Sequence, residues 1–149
     1  MGANERHLEL LAGTALFAGL SRRSLDTIGQ LSREVFHDAG HDVVSEGNSA
    51  YGLELIIEGT ATVSIGGAAV ARLGPGDSFG EIALLDAGPR TATVTADTPL
   101  RVLAINGSGF RNLLRSDPDL AAGVIAHLVN LVRGLDVQIA DFRTGGSFQ

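Results

Sequence analysis

The spacing of apolar residues changes twice along this chain, and that change narrows the available folds more than any other feature. From Glu5 to Leu31 the recurrence is helical. Leu8, Leu11, Ala15 and Leu16 follow at three- and four-residue steps until "AGLS" breaks the run. Ser21 is placed to cap a second helix, "SRRSLDTIGQLS", whose Leu25, Ile28 and Leu31 form one face. From about Glu34 to Ile105 the period falls to two. In "GLELIIEG", Leu53, Leu55 and Ile57 alternate with Glu54, Ile56 and Glu58, and in "TATVSI", Ala61, Val63 and Ile65 alternate with Thr60, Thr62 and Ser64. Short runs of this kind, separated by "EGNSAYG", "EGT", "GG" and "GPGD", predict an antiparallel roll or barrel, with "TATVTA" and "LRVLAI" as its last strands. From Ser108 helical spacing returns. "SGFRNLLRSDP" predicts a short helix ended by Pro118, and "PDLAAGVIAHLVNLVRGLDVQIADF" a longer one with Pro118 in its first turn. "RTGGSFQ" reads as a frayed tail or a cut linker.

The expected fold class is therefore α+β: an antiparallel β-roll flanked by helices at both ends. A chain of 149 residues suits one domain, divided into N-terminal helices over 5–32, a roll over 33–106, C-terminal helices over 107–142 and a tail over 143–149.

Several function classes are set aside by composition. There is no cysteine, so neither a disulfide framework nor a thiolate metal site is available. The net charge is −6 without a basic run, which argues against this chain alone gripping a nucleic-acid backbone. No apolar run approaches the ~20 residues of a membrane span. The opening "MGANERHLELLAG" is not a secretory signal, and "MGANER" carries Arg6 where a myristoylation site wants Ser or Thr. A soluble cytoplasmic protein without a membrane partner is expected. His7, His37, His41 and His127 show no metal-ligand spacing, and His127 is expected on the wet surface. "GSGF" lacks the Lys-Ser/Thr of a phosphate loop, and no Ser-His-Asp set can be nominated, so no catalytic residue, metal or cofactor is expected.

The candidate site is "GDSFGEIALLDAGPRTATV", Gly76 to Val94. "GPGD" is a tight-turn sequence, and Gly80 permits close approach of the backbone to a ligand. "EIALL" suits one turn of helix whose first amides, around Ile82 to Leu84, would be free to meet an anion. Arg90 can hold the same anion through two parallel hydrogen bonds, and Thr91 adds a hydroxyl. Glu81, acceptor-only when ionised, would need a hydroxyl donor at a distance from that anion. A sugar phosphate offers both groups. The alternative is a surface ion pair between Glu81 and Arg90, worth ~0–1 kcal/mol.

"FGEIALLDAGPRTATV" resembles the phosphate-binding cassette of cyclic-nucleotide-binding domains, from its Phe-Gly-Glu-x-Ala-Leu opening to its Pro-Arg-Thr-Ala close. "LFAGLSRRSLDTI", "GHDVVSEG", "LIIEGTATV", "ARLGPGDSFGE" and "LRVLAINGSGFRNLL" extend the likeness over about residues 8 to 140. The resemblance implies a roll of the double-stranded β-helix type with the cassette at 79–92, followed by hinge and lid helices. It implies a 3′,5′-cyclic nucleotide as ligand; Thr91 leaves the base open between cAMP and cGMP, and the bacterial style of the chain favours cAMP. Glu81 would accept from the ribose 2′-hydroxyl, Gly80 would contribute backbone, and Arg90, Thr91 and the amides of Ile82 and Ala83 would hold the phosphate. It also implies a sensor without catalysis that signals through its C-terminal helices, or the sensing part of a larger effector such as a transcription regulator, acyltransferase or channel.

The last helix carries two adjacent apolar stripes, Val124, Leu128, Leu131 and Leu135 beside Ile125, Val129 and Val132. A helix so apolar is buried on more than one side. The stripes suit a homodimer seam, or else packing on the chain's own helices. Gly134 marks a place for the helix to stop or bend.

Overall fold

The computed structural model describes residues 5–45, 52–80 and 92–144, with backbone alone for residues 15, 131 and 135–144. Helix α1 (Glu5–Ala12) is followed by a 3-10 turn (Ala15–Phe17) and α2 (Arg22–Leu31). Among the described residues eight strands come next: β1 (Ser32–His37), β2 (Asp42–Val44), β3 (Gly52–Glu58), β4 (Ala61–Ile65), β5 (Ala68–Leu73), β6 (Ser78–Phe79), β7 (Thr93–Ala96) and β8 (Leu100–Asn106). Helices α3 (Gly107–Ser116) and α4 (Pro118–Thr144) close the chain.

The N-terminal helical run divides earlier than its periodicity predicts. Ala15 and Leu16 fall outside α1, which ends at Ala12 just before Gly13, and the Thr14 hydroxyl turns back to the Leu10 carbonyl at 3.0 Å. Ser21 caps α2 as expected, its side chain accepting from the Ser24 amide. At the other end α4 runs through Gly134 without stopping, because a helical glycine costs only about 1 kcal/mol and a 27-residue helix absorbs that.

The strands form two four-stranded antiparallel sheets, ordered β1-β8-β3-β6 and β2-β7-β4-β5. The first sheet is covered on both faces, which explains why "LELII" is almost continuously apolar. Leu53, Leu55 and Ile57 of β3, with Leu103 and Ile105 of β8, face the helices and meet Leu11, Phe17, Ile28, Phe110 and Leu120. The alternate residues Ile56, Leu100 and Val102 face inward, against Val44, Ala61, Val94 and Ala96 of the second sheet. Phe17 and Phe110 are tilted at 49° with ring centroids 5.7 Å apart, which fastens α3 to the N-terminal helices. In the second sheet β5 is exposed along most of its length.

One glycine is dictated by the pairing of β3 with β8. A Cβ on Gly52 would fall 1.9 Å from the Ile105 carbonyl oxygen, so no side chain fits there. On the helix-facing side an ion network ties the strands together. Arg101 of β8 reaches Glu34 on β1 at 3.1 Å and Glu58 on β3 at 2.7 Å, and His7 of α1 meets Glu34 at 2.7 Å. The hydrogen bond with His7 holds the Glu34 carboxyl below its ordinary range, and Arg101 acts in the same direction against partial burial.

Candidate ligand site in the roll

The strand leading into the candidate site is pinned by its preceding turn and by β3. In "GPGD" the Asp77 carboxylate accepts from the Gly74 amide at 2.8 Å, and the Asp77 amide donates to the Gly74 carbonyl at 3.0 Å. The turn is then laced to the middle of β3: the Gly76 amide donates to the Ile56 carbonyl, and the Ile56 amide to the Asp77 carbonyl. β6 follows at once, with Ser78 opposite Leu55 and Phe79 opposite Glu54. Phe79 is buried in the inter-sheet core, so its backbone has a fixed place. The chain then turns at Gly80, whose φ of +89° is a left-handed conformation that a side chain would strain. Residues 81–91 connect this point in the first sheet to β7 in the second.

Of the residues nominated from sequence, Gly80 is placed at the end of β6. Glu81, Ile82, Ala83, Arg90 and Thr91, with the single helical turn expected at "EIALL", lie outside the described residues, as do the "EGNSAY" part of the β2–β3 turn and the last five residues of the tail.

The register of the first sheet defines the wall beside Gly80. Arg33, Ala104, Glu54 and Phe79 form one row across β1, β8, β3 and β6, and Val35, Val102 and Ile56 form the next. His37 lies opposite Leu100 beyond them. All these residues are on the inward face. The wall is thus apolar, with one acid–imidazole pair set into it: His37 Nε2 is 3.0 Å from Glu54 Oε1, and the two side chains are 15% and 14% accessible. The His41 ring stacks on His37 at 5.7 Å and 11°. Among the described residues no cluster of three His, Cys, Asp or Glu side chains could hold a metal ion.

The inward placement of Glu54 and His37 was not legible in the sequence. Glu54 alternates along β3 as the solvent-facing Glu58 does, and period alone does not say which face is covered. The one available signal was an acid inside "LELII".

The joint to the C-terminal helices is also built from polar caps. Asn106 caps α3 by accepting from the Gly109 amide at 3.1 Å. Asp117 ends α3 and begins α4, its carboxylate accepting from the Leu120 amide at 3.1 Å and from the Ser24 hydroxyl at 3.3 Å. The root of α4 is buried through Leu120 and Val124. Farther out Ile125, Leu128, Val129 and Val132 are 60%, 39%, 43% and 56% exposed. His127, expected on the wet edge, is half-buried, with its Nε2 shielded from solvent. No helix among the described residues is long and apolar enough to cross a membrane.

The profile of the family described as "Cyclic nucleotide-binding domain" matches residues 34–117, more than half of the chain. The chain belongs to that family. This cyclic nucleotide-binding domain is 39% identical over 107 residues to the cAMP-dependent protein kinase regulatory subunit of Eremothecium gossypii, a match covering 71% of this chain and 23% of that protein. It is 28% identical over 140 residues to the CRP-like cAMP-activated global transcriptional regulator of Mycobacterium tuberculosis, covering 89% of this chain and 62% of the regulator. Its fold is similar to the N-terminal domain of a transcriptional regulator from Streptomyces coelicolor A3(2), with a TM-score of 0.78 at 27% identity over 85% of this chain and 94% of that domain. The α+β roll expected from sequence is the observed fold. The chain spans less than two thirds of the length of these curated relatives.

Proposed function

We propose that this domain is a non-catalytic sensor that binds cAMP inside its roll and passes occupancy on through its C-terminal helices. The observation that carries this reading is Gly80: a strand pinned to β3 delivers a left-handed glycine, at the inner wall, into a segment with the cassette sequence. The family match runs through that segment, and two relatives are named for their response to cAMP. In this reading Glu81 accepts from the ribose 2′-hydroxyl, Gly80 contributes backbone, and Arg90, Thr91 and the amides of Ile82 and Ala83 hold the phosphate. Ligand signals only to the extent that it prefers one position of the C-terminal helices over another.

In the same reading the domain works in the cytoplasm, either as a sensor in its own right or as the sensing part of a larger effector protein. The exposed stripe on α4 takes a second copy of the chain, since a row of apolar side chains along one helix face matches the same row on a symmetry-related helix. Calorimetric titration with cAMP, cGMP and a linear 5′-nucleotide tests the reading. Saturable binding of cAMP ahead of both others is expected, and binding of none would overturn it.

A further inference from the structure

A polar cleft of about 300 Å³ opens between α2, the end of α3 and the start of α4, lined by helical residues and the joint between them. Its lining carries charge of both signs, Arg23 from α2 and Asp119 from the first turn of α4. Among the described residues neither of these side chains has an ion pair or a hydrogen bond, so the two face one space without meeting across it. The Asp117 carboxylate, by contrast, is engaged by the Leu120 amide and the Ser24 hydroxyl. The other hydroxyls of the lining already direct their protons elsewhere. Thr27 donates to the Arg23 carbonyl at 3.0 Å, and Ser116 to the carbonyls of Asn112 and Leu113 at 3.4 and 3.2 Å. What they present to the cleft is acceptor oxygen.

These donors and acceptors select an occupant. The Asp119 carboxylate and the Thr27 and Ser116 oxygens suit a group with several protons and no lone pair, an ammonium. The Arg23 guanidinium suits a carboxylate, which it holds through two parallel hydrogen bonds. A simple anion would meet Asp117 and Asp119, and a simple cation would meet Arg23. Leu113 and Pro118 complete the lining with apolar surface for a short aliphatic side chain. We propose that this cleft is a second ligand site, for a free aliphatic α-amino acid with its carboxylate on Arg23 and its ammonium on Asp119. The volume lies at the lower end of small-ligand pockets, which suits a molecule of that size. The site shares no residue with the roll and stands whether or not the roll binds cAMP. An occupant would bridge α2 and the root of α4, the two elements that the hydrogen bond between Ser24 and Asp117 already ties.

The test titrates L-alanine, L-valine and L-leucine to about 10 mM into the 149-residue chain and follows the amide chemical shifts. Saturable shifts of the Thr27, Ser116 and Asp119 amides are expected for at least one of the three. Blocking either end of that amino acid, as its N-acetyl or its carboxamide derivative, should weaken binding about fivefold. Arg23→Gln should weaken the free amino acid by the same factor and leave the carboxamide derivative unchanged. Asp119→Asn should weaken the free amino acid likewise and leave the N-acetyl derivative unchanged. Both side chains are exposed, so the variants are expected to keep the wild-type melting transition. Three results would each overturn the proposal: no shifts with any of the amino acids, a blocked form bound as tightly as the free one, or a variant that loses free and blocked forms equally.

Discussion

The hydroxyl of Ser24 donates to the carboxylate of Asp117 across 93 residues of sequence, at 3.3 Å, and so ties α2 to the joint between α3 and α4. Ser24 is 2% exposed, so its hydroxyl has little access to water as a substitute, whereas Asp117 is only half-buried. Ser24→Ala should therefore cost about 1–2 kcal/mol, read as a lower urea midpoint at unchanged slope. Asp117→Ala should cost more, because the Leu120 amide loses its cap as well. Equal midpoints for wild type and Ser24→Ala would show that the contact adds nothing to stability.

Gly52→Ala should be among the most destabilising single changes in the first sheet. The new methyl would meet a backbone carbonyl at 1.9 Å, and backbone cannot swing aside as a side-chain tip does. A loss of about 1–3 kcal/mol is expected, the range typical of overpacking. A thermal melt within about 2 °C of wild type would contradict it, since 1 kcal/mol shifts a domain of this size by roughly 2–8 °C.

The ion network on the helix side predicts a particular acid response. Glu34 is held below its ordinary range in the folded protein, principally by the hydrogen bond with His7. Its contribution is thus complete above the unfolded carboxylate range and is lost as pH falls through the lowered folded value. Glu34→Gln should flatten that part of the stability curve between about pH 3 and pH 5 and leave the curve's shape near neutrality unchanged. Melting temperatures across that interval decide it, and a variant as acid-sensitive as wild type would assign the loss to other carboxylates.

Arg90→Ala should weaken cAMP binding at least tenfold, more than loss of a surface ion pair at ~0–1 kcal/mol would produce. Calorimetry giving the wild-type affinity would remove Arg90 from the site.

If a second copy covers the exposed stripe of α4, Val129→Asp should convert a dimer to a monomer in sedimentation equilibrium and leave the melting of the roll intact. A monomeric wild-type chain at micromolar concentration would refute the seam.

Much of this molecule was legible before its fold was known, and the particular residues explain why. Ser21 and Pro118 act through the backbone next to them, so their roles in starting helices needed no knowledge of the tertiary fold. The alternation of Leu53, Leu55 and Ile57 was equally plain. What it left open was whether Ile56 and Glu54 face water or a second layer, and that depends on β2, β4 and β7 folding over them. The end of α1 was misplaced for a related reason. Leu16 and Phe17 keep an apolar spacing because they are buried, although they are buried from a 3-10 turn. The cassette itself was read from its residue types and its family likeness, and the structure adds the placement of Gly80.

The first sheet is a partition with a core on either side, one beneath the helices and one within the roll. Neighbouring residues of β3 and β8 belong alternately to the two, Leu55 to one and Ile56 to the other. Interiors this dense have little slack. Pressure applied to one compartment by an incoming molecule is therefore felt in the other through a single thickness of main chain, with no intervening loop to absorb it.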